Sequence, residues 1–240
     1  METKKLSLDI GGLVVHRGSR RRPGFTLGPL SASLACGSVT ALVGHNGSGK
    51  STLYNALCDL VRPTEGGVQF DRFDHRRNEA DFKQRVGFVS DFSHIYGGMS
   101  VELAIRFASS FYDHWDSDYT EKMLVELRLP RKRAVKDLSK GMKTKLSLVL
   151  TLASRRQFLV LDEPTSGLDV GSTHWFWKQM KLAVGGGMGL LLSLHSYEQV
   201  VDHCDRVLIL ENGRLRDDVD LHAQAEAKDR VLNLMSEVGS

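Results

Sequence analysis

The chain has 240 residues, enough to bury one hydrophobic core, and its 32 Lys and Arg residues against 29 Asp and Glu residues leave a net charge of only +3. With 41% hydrophobic and 25% charged residues, the composition excludes a disordered or collagen-like chain. The small positive charge gives no reason to expect a nucleic-acid partner. No apolar run approaches the ~20 residues that a membrane-spanning helix needs, and residues 1–10 lack the apolar segment of a secretory signal, so we expect no membrane crossing by this chain.

Apolar periodicity divides the chain into short strands and helices. Strands are predicted at residues 6–15, 39–43, 67–73, 86–90, 158–161, 189–194 and 206–210. Helices are predicted at residues 50–62, 101–112, 119–127, 142–154, 173–184 and 197–203, followed by an amphipathic helix at 221–235. Glu211-Asn212-Gly213 predicts a tight turn into one more short strand. Strands that alternate with helices indicate a parallel α/β sheet, which an all-helical insert divides in sequence.

A glycine-rich segment between a predicted strand and a predicted helix matches the phosphate-binding pattern GxxxxGK(S/T) in full. Its glycines let backbone N–H groups curl around phosphate oxygens, and the helix N-terminus adds its positive dipole end. We expect Lys50 to reach the β- and γ-phosphates and the Ser51 hydroxyl to bind Mg²⁺. The alternative is a glycine-rich turn without a ligand, which the flanking strand and helix disfavour. The predicted nucleotide-binding residues of this loop are Gly44, His45, Asn46, Gly47, Ser48, Gly49, Lys50, Ser51 and Thr52.

A second carboxylate-bearing segment follows the apolar residues 158–161, which predict a buried strand. Asp162 comes at the carboxyl end of that strand, where α/β sheets place their ligands, and there it can hold Mg²⁺. Glu163 is positioned to orient or deprotonate an attacking water. Two carboxylates at a solvated loop are common in other proteins, but the phosphate-binding loop upstream favours the catalytic interpretation.

Several further motifs resemble those of the ATP-binding cassette (ABC) ATPases. Residues 138–142, Leu-Ser-Lys-Gly-Met, resemble the LSGGQ signature of that family, and residues 166–169 resemble its D-loop. Residues 193–195 resemble its switch histidine, and residues 206–215 resemble its closing pair of strands. The order and spacing of the motifs fit the family from about residue 5 to residue 215.

The resemblance implies a P-loop NTPase fold with a mixed sheet core, an antiparallel β-subdomain and an inserted α-helical subdomain. Residues 1–240 are expected to form one ABC ATPase domain. Within it, residues 1–90 and 156–218 are the predicted α/β core with its β-subdomain, residues 91–155 the helical subdomain and residues 219–240 a helical tail.

The resemblance also implies that the protein hydrolyses ATP with Mg²⁺. It implies further that two nucleotide-binding subunits act as a pair. His195 would contact the γ-phosphate and the attacking water beside Glu163. Ser139, Lys140 and Gly141 would bind the γ-phosphate held by a second nucleotide-binding subunit, identical or different, because two cassettes sandwich two ATP molecules head to tail. A transmembrane permease would contact residues 91–100, which places the chain on the cytoplasmic face of the cell membrane, and the motifs look similar to those of bacterial export-type systems.

Two other functions stay open at this point. One is a soluble ABC ATPase of an assembly complex of the iron–sulfur type, and the other is a regulatory ATP-binding module with little hydrolysis. Intact Lys50, Asp162, Glu163 and His195 disfavour the regulator. The short segment between the phosphate-binding loop and the signature excludes the long coiled coil of DNA-repair members, and the length of the chain excludes the two cassettes of translation-factor members.

Two motifs depart from the family pattern. Lys140 stands at the first glycine of the signature and Met142 at its glutamine. Lys140 either adds a cation near the partner's phosphate or is a solvated lysine that the loop tolerates, and we favour the second interpretation. Asp91 stands at the glutamine of the Q-loop. We hypothesise that its carboxylate replaces that glutamine as a Mg²⁺ ligand, with Ser51 and Asp162, and as a catalytic group.

The position of the aromatic residue that stacks on adenine in the family is also changed. Residues 15–18 offer no Tyr or Phe there. We expect His16 or Arg17 to stack on the base instead, with Phe25 as an alternative if the arginine-rich segment folds back. Selectivity for adenine is therefore expected to be weak.

Overall fold

The structure is a computed structural model that describes residues 6–19, 22–89, 95–223 and 226–238. Its strands are β1 Ser7–Ser19, β2 Arg22–Ala35, β3 Val39–Val43, β4 Glu65–Phe70, β5 Phe73–Asp74, β6 Val86–Val89, β7 Phe158–Leu161, β8 Gly189–Ser193, β9 Arg206–Glu211 and β10 Arg214–Asp220. Its α-helices are α1 Lys50–Leu57, α2 Glu79–Arg85, α3 Val101–Ser109, α4 Ser117–Glu126, α5 Lys140–Ala153, α6 Val170–Gly185, α7 Tyr197–His203 and α8 Ala227–Val238.

The larger sheet has six strands in the order β10-β9-β3-β8-β7-β6. The pairs from β9 to β6 are parallel, and β10 pairs antiparallel with β9, so the predicted mixed sheet core is confirmed. All residues of β3, β7 and β8 are buried, because both faces of this sheet are covered by other elements. β8 lies between the strand that leads into the phosphate-binding loop and the strand that carries the carboxylates.

The smaller sheet is antiparallel, in the order β2-β1-β4-β5, and it packs over one face of the larger sheet with α1 between them. α1 supplies Leu53, Tyr54, Ala56 and Leu57 to this core, whereas both sheets supply leucines and valines. The opposite face of the larger sheet packs against α5 to α8. The helix that follows the phosphate-binding loop is therefore held on two sides.

β2 was not predicted, because its prolines and glycines read as a loop in the sequence. β2 is the edge strand of its sheet, and proline is tolerated on an edge strand. Gly28 and Pro29 form a bulge, two residues of β2 opposite one of β1. Gly28 has a φ of 98°, and a Cβ there would lie 2.0 Å from the Leu13 carbonyl oxygen, so only glycine fits. The short helix α2 was also not predicted.

Helices α3, α4 and α5 form a layer with a small core of their own. Each begins at a side chain that accepts a hydrogen bond from the first turn, namely Ser100, Asp116 and Ser139. Such caps fix where each helix starts. Over the ranges that the structure describes, every helix is too short or too polar to cross a bilayer.

Candidate active site

The loop between β3 and α1 has a backbone that requires glycine. Gly47 and Gly49 have φ values of 85° and 110°, in the left-handed region that L side chains rarely adopt. A Cβ at Gly44 would lie 2.4 Å from Ser48 Oγ, so no side chain fits there. In the described structure no side chain caps the start of α1. Its first N–H groups and the positive end of its dipole therefore face the loop and can bind phosphate.

Lys50 lies at the floor of this loop with its side chain folded back onto the loop itself. Its Nζ donates hydrogen bonds to the Gly44 carbonyl at 2.5 Å and to the His45 carbonyl at 3.3 Å. Burial lowers the pKa of Lys50, and the carboxylates of Glu163 and Asp162 oppose that effect. Both hydrogen-bond acceptors are neutral carbonyls, so phosphate oxygens are stronger acceptors for this ammonium group.

The two carboxylates lie where β7 ends, as the sequence predicts. Asp162 donates its N–H to the Val89 carbonyl at 3.0 Å, which continues the pairing of β7 with β6. Glu163 Oε1 lies 2.7 Å from Nε2 of His195, and both side chains are partly exposed. Glu163 also has a φ of 45°, which is unusual for a residue with a side chain. The histidine therefore holds one carboxylate oxygen and leaves the other open to water.

One cavity of about 360 Å³ brings the phosphate-binding loop and the carboxylates together. Gly44 and Ser48 belong to the loop but do not line the cavity. The lining residues are Arg17, Phe25, His45, Asn46, Gly47, Gly49, Lys50, Ser51, Thr52, Asp162 and Glu163. A cation, a hydroxyl, a helix N-terminus and two carboxylates around one cavity suit a polyphosphate that carries a divalent metal ion.

The far end of this cavity is formed by Arg17 and Phe25, which lie directly opposite each other in the β1–β2 pair. Cross-strand partners project on the same face of a sheet, and successive residues alternate between faces. Phe25 packs against Gly49, so Arg17 is on the side of the phosphate-binding loop. His16 is on the other face, where its Nδ1 lies 3.0 Å from Thr26 Oγ1. Of the two residues expected to stack on the base, the structure brings Arg17 to the cavity and places His16 away from it.

The signature segment lies outside the cavity lining, at the exposed start of α5. Ser139 caps this helix, its Oγ accepting the N–H of Met142 at 3.2 Å. Lys140 extends toward Gly167, so that a Cβ at Gly167 would lie 2.8 Å from its Nζ. A Cβ at Gly141 would meet no described atom within 4 Å. The helix therefore presents N–H groups and a dipole end to a space at Gly141 that no described residue fills, with the Lys140 cation beside it.

A protein-family model described as ABC transporter matches residues 27–166, which is more than half of the chain. The chain belongs to the ABC transporter family. The cassette is 29% identical to the SkfA peptide export ATP-binding protein SkfE of Bacillus subtilis, over 87% of this chain and 90% of that protein. It is 34% identical to the energy-coupling factor transporter ATP-binding protein EcfA2 of Latilactobacillus sakei, over 79% of this chain and 70% of that protein.

A solved structure described as the ATP-binding subunit of an ABC transporter superposes on the cassette with a TM-score of 0.84. The two are 23% identical, and the alignment covers 98% of this chain and 100% of the other, which shows a common fold. The predicted P-loop NTPase fold of the ABC ATPases is therefore confirmed. The cassette is an ATP-binding and ATP-hydrolysing subunit of an ABC transporter. The comparisons do not support the soluble assembly ATPase or the regulatory module.

Asp91, the residue at the Q-loop position, lies outside the residues that the structure describes. The described chain resumes at Ile95, close to the start of α3. The expected roles of Asp91 as a Mg²⁺ ligand and as a catalytic group stay predictions.

Two residues that the sequence analysis did not single out lie behind the carboxylates of the cassette. Ser193, at the end of β8, contacts both Asp162 and Glu163. Tyr54 of α1 is fully buried, and burial is the main reason that its pKa is raised well above the usual value, so it stays neutral. Ser193 lies close enough to lower that pKa, although Tyr54 Oη makes no hydrogen bond of good geometry with any described residue. The signals in the sequence were a hydroxyl inside the apolar run 189–194 and its position at the start of the motif at residues 193–195.

Proposed function

We propose that this cassette binds ATP with Mg²⁺ in the cavity between the phosphate-binding loop and the end of β7, and that hydrolysis there drives export by a separate transmembrane permease. The observation that carries the proposal is the single cavity that joins Lys50 and Ser51 to Asp162 and Glu163. The relative named for peptide export supports the direction of transport. The same proposal includes weak selectivity for adenine and a location on the cytoplasmic face of the cell membrane. It does not include a nucleic-acid partner.

Ser51 and Asp162 are the proposed Mg²⁺ ligands, because a hydroxyl and a carboxylate are the hard oxygen donors that this ion prefers. In the part of the chain that the structure describes, no group of three or more His, Cys, Asp and Glu side chains could hold a metal alone. Mg²⁺ in nucleotide sites is usually bound by a few protein oxygens together with water and the phosphates of the nucleotide. The bound ion would neutralise charge on the β- and γ-phosphates. Asp91 stays the proposed third ligand.

Glu163 is the proposed general base and His195 the residue that orients it. The water oxygen bonds to the γ-phosphorus as the bond between the γ-phosphorus and the oxygen bridging to the β-phosphate breaks. Glu163 takes a proton from the water in this step. The contact of 2.7 Å to His195 fixes the carboxylate during this step. Lys50 balances the charge that moves onto the departing ADP.

A second cassette, identical or different, is the proposed partner across the nucleotide. The start of α5, with Ser139, Lys140 and Gly141, does not reach the cavity of its own chain but presents a positive helix end outward. In a head-to-tail pair this end would face the γ-phosphate of the other subunit. Residues 91–155 would move as the helical subdomain against the core of residues 1–90 and 156–218, with the tail 219–240 following the core.

An exposed aromatic patch is the proposed contact with the permease. We define it as Tyr96, Leu103, Phe107 and Phe111, which follow the Q-loop region along the start and outer face of α3. Phe107 contacts both Tyr96 and Phe111 edge to face, with ring centroids 6.1 Å and 4.9 Å apart. Clustered exposed aromatic rings are typical of interaction sites.

Phe107→Asp tests the transport part of the proposal. Truncating or charging an aromatic anchor costs about 2 kcal/mol or more, which is roughly a 30-fold loss of affinity. We therefore expect the variant to lose co-purification with a multi-span membrane protein, while ATP hydrolysis by the isolated cassette stays within about twofold of wild type. Val125→Asp, at an even more exposed apolar position on α4, is the control and keeps the membrane partner. Wild-type co-purification of Phe107→Asp, or capture of a soluble scaffold by the unaltered protein, contradicts the proposal.

Arg17→Ala tests the proposed base site. Stacking of a guanidinium on an aromatic ring contributes about 0.5–2 kcal/mol, so the dissociation constant for ATP should rise about two- to thirtyfold. His16→Ala is the matched control, because the neighbouring side chain lies on the opposite face, and it should bind ATP as wild type does. Equilibrium binding of ATP to the purified variants gives the comparison, and equal affinities for both variants would refute a role of Arg17.

A further inference from the structure

Ser193 occupies a position in the sheet that links the two halves of the catalytic site. β8, which it ends, is the strand between β3 and β7, so the carboxyl end of β8 lies between the phosphate-binding loop and the carboxylates. Ser193 is polar but fully buried. A buried hydroxyl in an otherwise apolar strand loses its hydration and is retained at low cost only when its hydrogen bonds are made within the protein.

Those hydrogen bonds both go to the carboxylate segment. Ser193 Oγ donates to Oδ1 of Asp162 at 2.8 Å and accepts the backbone N–H of Glu163 at 2.6 Å. A serine hydroxyl has one donor and two acceptor sites. Its single donor is therefore committed to Asp162, and one hydroxyl joins the side chain of one catalytic residue to the main chain of the next.

The backbone of Glu163 needs such a contact. Its φ of 45° lies in the left-handed region, which costs free energy for a residue with a side chain and persists only where the surroundings hold it. Ser193 holds the N–H of Glu163 from inside the protein, and His195 holds the Glu163 carboxylate. Because Ser193 is fully buried, water cannot readily replace the hydroxyl if it is removed.

We propose that Ser193 is a positioning residue for ATP hydrolysis, whose hydroxyl orients the Asp162 carboxylate toward the metal ion and fixes the Glu163 backbone so that its carboxylate faces the attacking water. The inference rests on the proposed roles of Asp162 and Glu163 and adds a residue that touches neither nucleotide nor metal ion. Partners of metal ligands commonly change metal affinity or activity by about 10- to 100-fold when they are removed.

Ser193→Ala is the test. We expect kcat to fall about 10- to 100-fold and the Mg²⁺ concentration for half-maximal activity to rise several-fold, because both contacts act on the catalytic carboxylates. The dissociation constant for ATP, measured in the presence of saturating Mg²⁺, should stay within about threefold, since the phosphate-binding loop is unchanged. A merely structural role of the hydroxyl predicts lower stability with unchanged kcat and Mg²⁺ requirement.

Ser154→Ala is the matched control, because Ser154 is also buried and donates its hydroxyl to the Thr151 carbonyl at 2.6 Å, far from the carboxylates. It should lower the melting temperature as Ser193→Ala does and leave kcat and the Mg²⁺ requirement alone. If Ser193→Ala does not fold, Ser193→Cys decides, since a thiol has nearly the same shape and makes weaker hydrogen bonds. The proposal is overturned if the folded Ser193 variant keeps kcat and Mg²⁺ requirement within twofold of wild type. Loss of hydrolysis in Glu163→Gln alongside that result would leave the proposed function standing and reject only the role of Ser193.

Discussion

Glu163→Gln is expected to lower ATP hydrolysis by the purified cassette at least ~100-fold while ATP binding persists, because general-base catalysis contributes about 10²- to 10⁴-fold. The amide keeps the size of the side chain and can still bond to Nε2 of His195, now 2.7 Å from Glu163 Oε1. It cannot accept a proton from water. It also removes a negative charge that faces the nucleotide cavity, so ATP should bind at least as tightly as in wild type.

Phosphate release and equilibrium ATP binding, measured on the same preparation, separate the two effects. Glu198→Gln is a suitable control, because it removes an exposed carboxylate from the start of α7, three residues after His195, without touching the cavity. It should hydrolyse ATP at the wild-type rate. Undiminished phosphate release from Glu163→Gln would mean that another group, with Asp91 the first to examine, takes the proton.

The parts of this site that the sequence predicts are those set by local chemistry. The phosphate-binding loop has glycine at two positions of positive φ, Gly47 and Gly49. It lies between an apolar strand and the start of a helix that no described side chain caps. Residues 158–161 form β7 with the predicted bounds, since a continuous apolar run can be buried on both faces of a parallel sheet. Each of these requirements is met by residues close together in the chain.

The base end of the cavity shows where sequence reasoning stops. Whether His16 or Arg17 faces the nucleotide depends on the parity of alternation along β1, and a register shift between Ile10 and Leu13 precedes both residues. Each bulge inverts the side to which later residues project. Phe25 reaches the cavity only because β2 forms. The prolines and glycines of β2 are typical of a loop, so the sequence pattern does not predict this edge strand.

Ser193 was missed for a different reason, because its contacts cross between strands that are far apart in sequence. The apolar run predicted β8, but the order β3-β8-β7, which brings Ser193 beside Asp162, is a property of the assembled sheet. Pairwise contacts of this kind need the topology, which periodicity does not supply.

Gly141→Asp is expected to make the free cassette slightly more stable and yet abolish hydrolysis. Gly141 is the second residue of α5, and a Cβ there would meet no described atom within 4 Å. A carboxylate in the first turn gains about 0.3–1 kcal/mol from the helix dipole, and losing the flexibility of glycine adds about 0.5–1 kcal/mol. The melting temperature should therefore rise by a few degrees, as a gain of ~1 kcal/mol implies. In a closed pair, the same carboxylate would face the partner's γ-phosphate and repel it.

The decisive measurement places Gly141→Asp in the Glu163→Gln background, where ATP is bound but not hydrolysed. Glu163→Gln alone should form an ATP-dependent dimer in light scattering, and the double variant should stay monomeric with unchanged ATP affinity per chain, because Gly141 does not line its own cavity. Gly185→Asp is the matched control, since it also adds a carboxylate at an open glycine but at the last residue of α6. There the helix dipole makes the charge slightly destabilising, and dimer formation should be retained. A dimeric double variant would show that the start of α5 does not face the phosphate of a second cassette, because a buried like-charge contact of this kind is too costly to persist.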